Sequence, residues 1–111
     1  MSDSVIEPIS DTTFESAILK ADKPAIVDFH ASWCGPCRAV RPVYEELGAE
    51  FKDTLLIASI DVDENPQIPT NYGVKSIPTF MLFYEGEVVD RLGGAVPRTE
   101  LRTLFERALA V

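Results

Sequence analysis

The two cysteines of the chain, Cys34 and Cys37, stand three residues apart in the stretch Trp33-Cys34-Gly35-Pro36-Cys37. That spacing brings two side chains together across about one helical turn. Gly35 and Pro36 suit the tight first turn of a helix, where a proline lacks only an N–H that would have no partner. A disulfide across so short a loop removes little entropy from the unfolded chain and is a weak staple. The spacing therefore predicts a bond that opens and closes.

The position of Cys34 at a predicted helix start bears on its reactivity. Unpaired N–H groups and the helix dipole favour a thiolate there, and the thiolate is the nucleophile. Two other interpretations compete with a reactive pair. One is a structural bond or two inert thiols, and the other is a zinc site. Zinc needs about four ligands, whereas the chain has two cysteines and one histidine, so that site would have to be shared between chains.

The cysteine pair follows a segment, residues 25–30, that is apolar on both alternating faces. This pattern predicts a central strand covered on both sides. Asp28 lies in the middle of the segment, on the face it shares with Ile26 and His30. Because a lone buried carboxylate is costly to ionise, we expect its pKa to be raised, although a buried polar residue satisfied by water is the alternative.

The remaining periodicities predict alternating strands and helices. Strands are expected at residues 5–9 and 55–61, and a hairpin at 79–84 and 87–92 with its turn at Glu85-Gly86. A first helix is expected up to about residue 20, with residues 10–12 as candidate N-caps and Thr12 with Glu15 as a capping box. Further helices are expected over 34–51, with a kink at Pro42, and as a short, poor helix over 63–72. A last helix begins near Pro97, and its apolar stripe comprises Leu101, Leu104, Phe105, Ala108 and Leu109.

These elements predict an α/β fold with a central sheet and helices on both faces, in which function gathers at the carboxyl ends of the parallel strands. The 111 residues suffice for one domain, 1–111. The net charge of -8 argues against nucleic acid or an anionic membrane as a partner. Residues 1–10 carry no base and resemble no targeting signal, so we expect a reducing cytoplasm, where vicinal cysteines are more often catalytic or metal-binding than structural.

The segment from Val27 to Cys37 closely resembles the active-site signature of thioredoxins. The resemblance extends over nearly the whole chain, from about residue 10 to 109. A lone Cys-x-x-Cys would be weak support, whereas these motifs in this order are specific to the family. The further matching residues are Pro42, Asp61-Val62-Asp63-Glu64-Asn65-Pro66, Tyr72-Gly73-Val74, Ile77-Pro78-Thr79, Glu85-Gly86 and Gly94.

The resemblance implies the thioredoxin fold, a five-stranded mixed sheet in the order 1-3-2-4-5, with a cis peptide bond before Pro78. In thioredoxins that loop lies against the cysteine pair and lines a shallow apolar groove for an extended client segment. Carried over by position, the substrate-binding residues would be Trp33, Gly35, Pro36, Val62, Ser76, Ile77, Pro78, Gly93 and Gly94.

The resemblance also implies a mechanism and partners. Cys34 would attack a client disulfide, Cys37 would resolve the mixed disulfide, and Asp28 would accept the proton of Cys37. The expected partners are disulfide-containing client proteins and a thioredoxin reductase, which is flavin- and NADPH-dependent or ferredoxin-dependent. The chain itself is expected to bind no cofactor and no metal, and to be a monomer.

Two residues depart from the family pattern. His30 stands where many thioredoxins carry Trp, and Ser59 where many carry a Lys close to the buried Asp. Without that Lys, Asp28 is expected to have one fewer charge partner, so that its pKa rises further and its role as a base is weaker. His30 is either an ordinary strand residue or a pH-sensitive group beside the dithiol. A different class of function also fits the sequence, a binding module in which the groove matters and the dithiol does not.

Overall fold

A computed structural model describes residues 5–111, and its centre is a five-stranded mixed sheet. The spatial order of the strands is β1-β3-β2-β4-β5, as the resemblance implied. Residues 1–4, which include part of the segment considered as a targeting signal, lie outside the described residues. The strands are β1 (Glu7–Ile9), β2 (Ala25–His30), β3 (Leu56–Asp61), β4 (Thr79–Tyr84) and β5 (Glu87–Gly93).

Strand β2 is the middle strand, and its bounds are those predicted from the apolar run. It pairs in parallel with β3 and antiparallel with β4. All of its residues are buried except His30 at its carboxyl end, which is partly exposed. The predicted central strand is therefore confirmed, and the cysteine pair follows its carboxyl end, where parallel strands gather function.

Helices cover both faces of the sheet. Helices α1 (Gly35–Phe51) and α3 (Arg98–Ala108) pack on the face that includes Ile26 and Phe80. A π-helix (Glu15–Leu19) and the short helix α2 (Gln67–Asn71) cover the face that includes Val27. The two separate apolar clusters explain why strands β2 and β4 have almost no polar face.

The hairpin between β4 and β5 turns at Glu85-Gly86, as predicted. Glu85 has φ 52° and Gly86 φ 82°. Two successive residues with positive φ are the requirement of a type I′ turn, which matches the twist of the flanking strands. Glycine adopts this conformation freely, whereas at Glu85 it is uncommon.

Two details of the predicted helices are wrong. The first helical segment is not capped by Thr12 and Glu15. Instead, Ser10 and Thr13 bond reciprocally, the amide of each donating to the hydroxyl of the other at 2.9 and 3.3 Å. Leu109 does not belong to the buried stripe of α3, because the helix ends at Ala108 and Leu109 is 55% exposed.

No helix within residues 5–111 is long and apolar enough to cross a membrane.

Candidate active site

The cysteine pair lies at the amino-terminal end of α1. Cys34 is the N-cap residue, and Pro36 occupies the first turn, as the sequence predicted. Cys34 and Cys37 form a disulfide with their Cα atoms 5.3 Å apart. The backbone N–H of Cys37 donates a hydrogen bond to Cys34 Sγ at 3.1 Å. In the reduced protein, this N–H and the dipole of a 17-residue helix stabilise negative charge on Cys34.

An open cleft of about 460 Å³ lies beside Cys34. The carbonyl oxygen of Ile77 is 3.9 Å from Cys34 Sγ on one side of the cleft. Six of the residues named for the groove line this cleft, together with Val74 and Lys75, which sequence analysis did not assign to the groove. The six are Trp33, Gly35, Pro36, Val62, Ser76 and Ile77.

Pro78, Gly93 and Gly94, the other three residues named for the groove, lie next to the cleft but do not line it. The Ile77–Pro78 peptide bond is cis, as the resemblance implied. Pro78 is buried, and its carbonyl accepts a hydrogen bond from the Gly94 N–H at 2.8 Å. Gly93 pairs with Thr79 at the end of the hairpin. A Cβ at either glycine would meet no atom within 4 Å, so the surface here is open.

Trp33 is the most prominent apolar side chain at the site, with 66% of its surface exposed. Its indole Nε1–H donates a hydrogen bond to Asp63 Oδ2 at 2.6 Å. That bond fixes the ring beside the cleft, so a large apolar surface is available to a partner.

Asp28 is fully buried in the middle of β2. Burial raises the pKa of its carboxyl from 3.8 to about 6, and the charge and hydrogen bond of Arg41 oppose this rise. The Arg41 guanidinium donates from Nη1 to Asp28 Oδ2 at 3.1 Å. Oδ1 is buried and has no hydrogen-bond partner among the described residues. The raised pKa is therefore as predicted.

The structure gives Asp28 a charge partner that sequence analysis did not name. Ser59 does face Asp28 across the β2–β3 ladder, but Arg41 supplies the cation from helix α1 instead. Sequence analysis missed Arg41 because an arginine on an amphipathic helix usually points to solvent. A signal was present, since Arg41 is four residues after Cys37 and three before Tyr44, on the face of α1 that both buried residues share.

Cys37 faces a different space from Cys34. It lines a second open cavity of about 700 Å³, which Cys34 does not line. His30 and Arg41 line the same cavity. The pKa of His30 is lowered, mainly by burial and further by Arg41, while Asp61 and Glu64 oppose this. His30 therefore takes up a proton less readily than an ordinary histidine.

Among the residues that the structure describes, no three His, Cys, Asp or Glu side chains are grouped so that they could hold a metal ion.

Comparison with known proteins gives the same family as the sequence motifs. The thioredoxin family model matches residues 5–107. The chain is similar to thioredoxin from Rhodospirillum rubrum, with 49% identity over 86% of this chain and 92% of that protein. It is also similar to thioredoxin 1 from a Nostoc species, with 42% identity over 96% of this chain and 99% of that protein. An M-type chloroplastic thioredoxin from Brassica napus is 43% identical over 94% of this chain and 59% of its own length.

A match over nearly the whole chain thus accompanies a cysteine pair that closes at the start of a helix beside an open apolar cleft. The chain belongs to the thioredoxin family and is a thiol-disulfide oxidoreductase.

Proposed function

We propose that Cys34 is the attacking thiolate and Cys37 the resolving thiol in the reduction of client disulfides. The observation that carries this assignment is their unequal surroundings. Cys34 lines the open cleft and accepts the N–H of Cys37 at the helix start. Cys37 lies one turn into α1 and does not line that cleft. A client disulfide in the cleft would therefore meet Cys34 first.

The reaction then proceeds in two exchanges. Cys34 thiolate forms a bond to one client sulfur, and the other client sulfur leaves as a thiolate. Cys37, after losing its proton, attacks Cys34 Sγ and displaces the first client sulfur. The product is the Cys34–Cys37 disulfide, so two electrons have passed to the client, and both client thiolates take up protons.

Asp28 is the proposed acceptor of the Cys37 proton. A carboxyl with a pKa of about 6 is about nine-tenths ionised at pH 7, yet it is a far better base than an ordinary aspartate. Burial is what makes it so, because burial disfavours the charged form. Asp28 therefore suits a transient proton store during the second exchange.

The client-binding surface is proposed to be the cleft beside Cys34, with Pro78, Gly93 and Gly94 at its edge. Its exposed Trp33 and the open backbone at the two glycines support an extended peptide as the occupant. Family membership implies disulfide-containing substrates and a thioredoxin reductase that returns the disulfide to the dithiol.

The remaining proposals concern the domain organisation, the oligomeric state and the cellular location of the protein. We propose that residues 1–111 act as one domain and as a monomer in a reducing cytoplasm. The acidic surface supports protein clients over nucleic acid or an anionic membrane. A binding module that uses only the apolar cleft is the alternative function, and it would not require the dithiol.

The test is the reduction of insulin by the prereduced protein. Cys34→Ser is expected to abolish activity, because it removes the attacking sulfur. Cys37→Ser is the matched control, since it makes the same substitution one turn along the helix. It is expected to retain the first exchange and to accumulate a mixed disulfide, detected by mass spectrometry under non-reducing conditions. Full insulin reduction by Cys34→Ser would overturn the proposal and favour a function of the cleft alone.

A further inference from the structure

The buried carboxylate of Asp28 is held on one side only. Arg41 Nη1 donates to Oδ2 at 3.1 Å, and Oδ1 is buried without a hydrogen-bond partner among the described residues. Burying an ionised carboxylate costs several kcal/mol unless a charged partner offsets it. The Arg41 contact is therefore what allows Asp28 to ionise inside the sheet.

The other elements packed around Asp28 present neutral side chains to it. Its partner on β3 is Ser59, which is buried and carries no charge. Its partner on β4 is Phe80. From α1, Tyr44 has its pKa raised by burial and stays neutral, while its hydroxyl donates to the Ile26 and Ala58 carbonyls.

His30 on β2 and helix α3 complete this environment. His30, two residues along β2, has its pKa lowered mainly by burial and further by Arg41, while Asp61 and Glu64 oppose this. Helix α3 contributes Leu101, Leu104 and Phe105 to the apolar cluster that also contains Tyr44 and Phe80. Arg41 is thus the cation in contact with Asp28, and it comes from the helix that also carries Cys37.

Arg41 also lines the cavity of about 700 Å³ that Cys37 lines. Its side chain is 33% exposed, whereas that of Asp28 is 1% exposed. A guanidinium that remains partly solvated keeps its charge at a small desolvation cost. The Arg41 guanidinium therefore contacts the proposed proton acceptor, while about a third of the Arg41 side chain remains exposed to solvent.

We propose that Arg41 is the positioning residue of the second exchange: it holds the Asp28 carboxylate from helix α1, where many thioredoxins use a lysine on β3, and keeps it ionised until Cys37 must lose its proton. The inference rests on the proposed role of Asp28. In this chain the cation beside Asp28 comes from Arg41 on α1, because position 59 on β3 carries the uncharged Ser59.

The direction of the expected effect follows from charge. A cation beside a carboxylate favours the ionised form, so Arg41→Met raises the pKa of Asp28. Loss of an opposite charge at this distance moves a titration midpoint by roughly one pH unit or more. Because the present midpoint is about 6, a move of one unit reduces the ionised fraction at pH 6 roughly fivefold. Release of the reduced client should slow by a similar factor at pH 6, and much less at pH 8.

The experiment measures the Asp28 carboxyl by carbon-13 NMR titration and, separately, the pH dependence of client release from the mixed disulfide by stopped flow. Arg41→Met is expected to move both profiles to higher pH. Arg41→Lys is expected to stay near the parent protein. Arg41→Met combined with Ser59→Lys returns a cation from β3 and is expected to restore both midpoints, which a purely structural role of Arg41 would not allow.

The matched control is Arg38→Met. Arg38 lines the same cavity and donates to the Ser32 carbonyl at 2.6 Å. Its removal takes the same charge from the same cavity without touching Asp28, so a much smaller shift is expected. An equal shift in Arg38→Met would overturn the inference, because it would show a general field rather than the contact with Asp28.

The outcomes also separate this inference from the proposed function. If Arg41→Met leaves the NMR midpoint of Asp28 unchanged while Cys34→Ser is inactive, the proposed function stands and the role of Arg41 is wrong. If the midpoint moves but the release profile does not, Arg41 tunes Asp28 without serving the second exchange, and the inference is again overturned. An active Cys34→Ser removes the proposed function itself, whatever Arg41 does to the titration.

Discussion

Asp28 couples the chemistry of the site to the stability of the whole chain. In the folded protein its carboxyl keeps its proton up to a pH of about 6, whereas the ordinary pKa is 3.8. A carboxyl whose pKa is raised on folding stabilises the folded state most when it is protonated. That contribution is fully present below a pH of about 4 and is lost as the pH rises through about 6. Near neutral pH, the protein thus carries an ionised buried group at a cost to its stability.

We predict that Asp28→Asn stabilises the oxidised protein in a pH-dependent way. The amide resembles the protonated carboxyl, so it avoids the ionisation cost. The pKa difference corresponds to about 3 kcal/mol at pH 8, and the gain should nearly vanish at pH 4. Arg41, left without its partner, keeps part of its solvation because its side chain is 33% exposed. Urea unfolding of the parent protein and of Asp28→Asn at pH 8 and at pH 4 measures the gain in unfolding free energy at each pH.

Asp53→Asn is the control for this pH dependence, because it removes a carboxylate from an exposed position. It should change the unfolding free energy little at either pH. If Asp28→Asn were destabilising at pH 8, or equally stabilising at pH 4 and 8, the cost of ionising Asp28 would not be the reason.

At the scale of elements, the short helix α2 depends on a residue that is distant in sequence, in the segment after β1. The two carboxylate oxygens of Asp11 accept the N–H groups of Gln67 and Ile68 at 3.1 and 2.9 Å. The Asp11 N–H in turn donates to Asn65 Oδ1 at 2.9 Å. A helix of five residues is too short to be stable by itself. These bonds join the segment after β1 to the start of α2.

We predict that Asp11→Ala destabilises the protein by about 1–2 kcal/mol, the usual cost of losing a side-chain cap. Two backbone N–H groups at the start of α2 would lose their acceptor. Asp22→Ala is the control, because Asp22 is an exposed carboxylate in the segment before β2. Chemical denaturation at pH 7 compares the two variants, and equal unfolding free energies would contradict this account of α2.

The elements themselves were largely predictable, and their contacts were less so. The bounds of β2 and β4 follow from apolar runs that end at turn residues, a local signal that needs no knowledge of the fold. The strand order came from the resemblance, because periodicity does not say which strands are neighbours. The cap from Asp11 to α2 joins residues 56 apart in sequence, and a capping pattern of adjacent residues does not reveal it.

The cysteine pair and the lining of the cleft were accessible from sequence because their motif is local and specific. Arg41 was not, because its role depends on two things together: an uncharged Ser59 on β3 and a helix face that points at β2. Neither of these two features, taken alone, would single out Arg41. The missing lysine was visible in the sequence. The spacing of Arg41 indicated only which face of α1 it lies on, and its contact with Asp28 became visible once α1 was packed on the sheet.

For the molecule as a whole, charge is the property most relevant to partners. The chain has 18 acidic and 10 basic residues. Around the cleft, Asp63 accepts the indole N–H of Trp33, and Lys75 lies on the lining. The lining is otherwise mostly apolar, so binding in the cleft does not itself select for charge. The long-range electrostatic field of the protein does select for charge, because it acts on a client before contact.

We predict that a disulfide peptide flanked by lysines is reduced faster than the same peptide flanked by glutamates. The ratio of second-order rate constants should be roughly tenfold at low ionic strength. It should approach one in 0.5 M salt, where the screening length falls to a few Å. The measurement is the initial rate with the prereduced protein, at peptide concentrations low enough that the rate is proportional to peptide concentration.

Flanking charges also change the intrinsic reactivity of a peptide disulfide, since they alter the leaving thiol. Each rate is therefore divided by the rate of the same peptide with dithiothreitol, which attacks as a small thiolate without the field of a folded protein. A serine-flanked peptide should fall between the two charged ones and depend little on salt. If the glutamate-flanked peptide reacts as fast as the lysine-flanked one at low salt after this correction, the net charge does not steer clients, and selection must lie within the cleft.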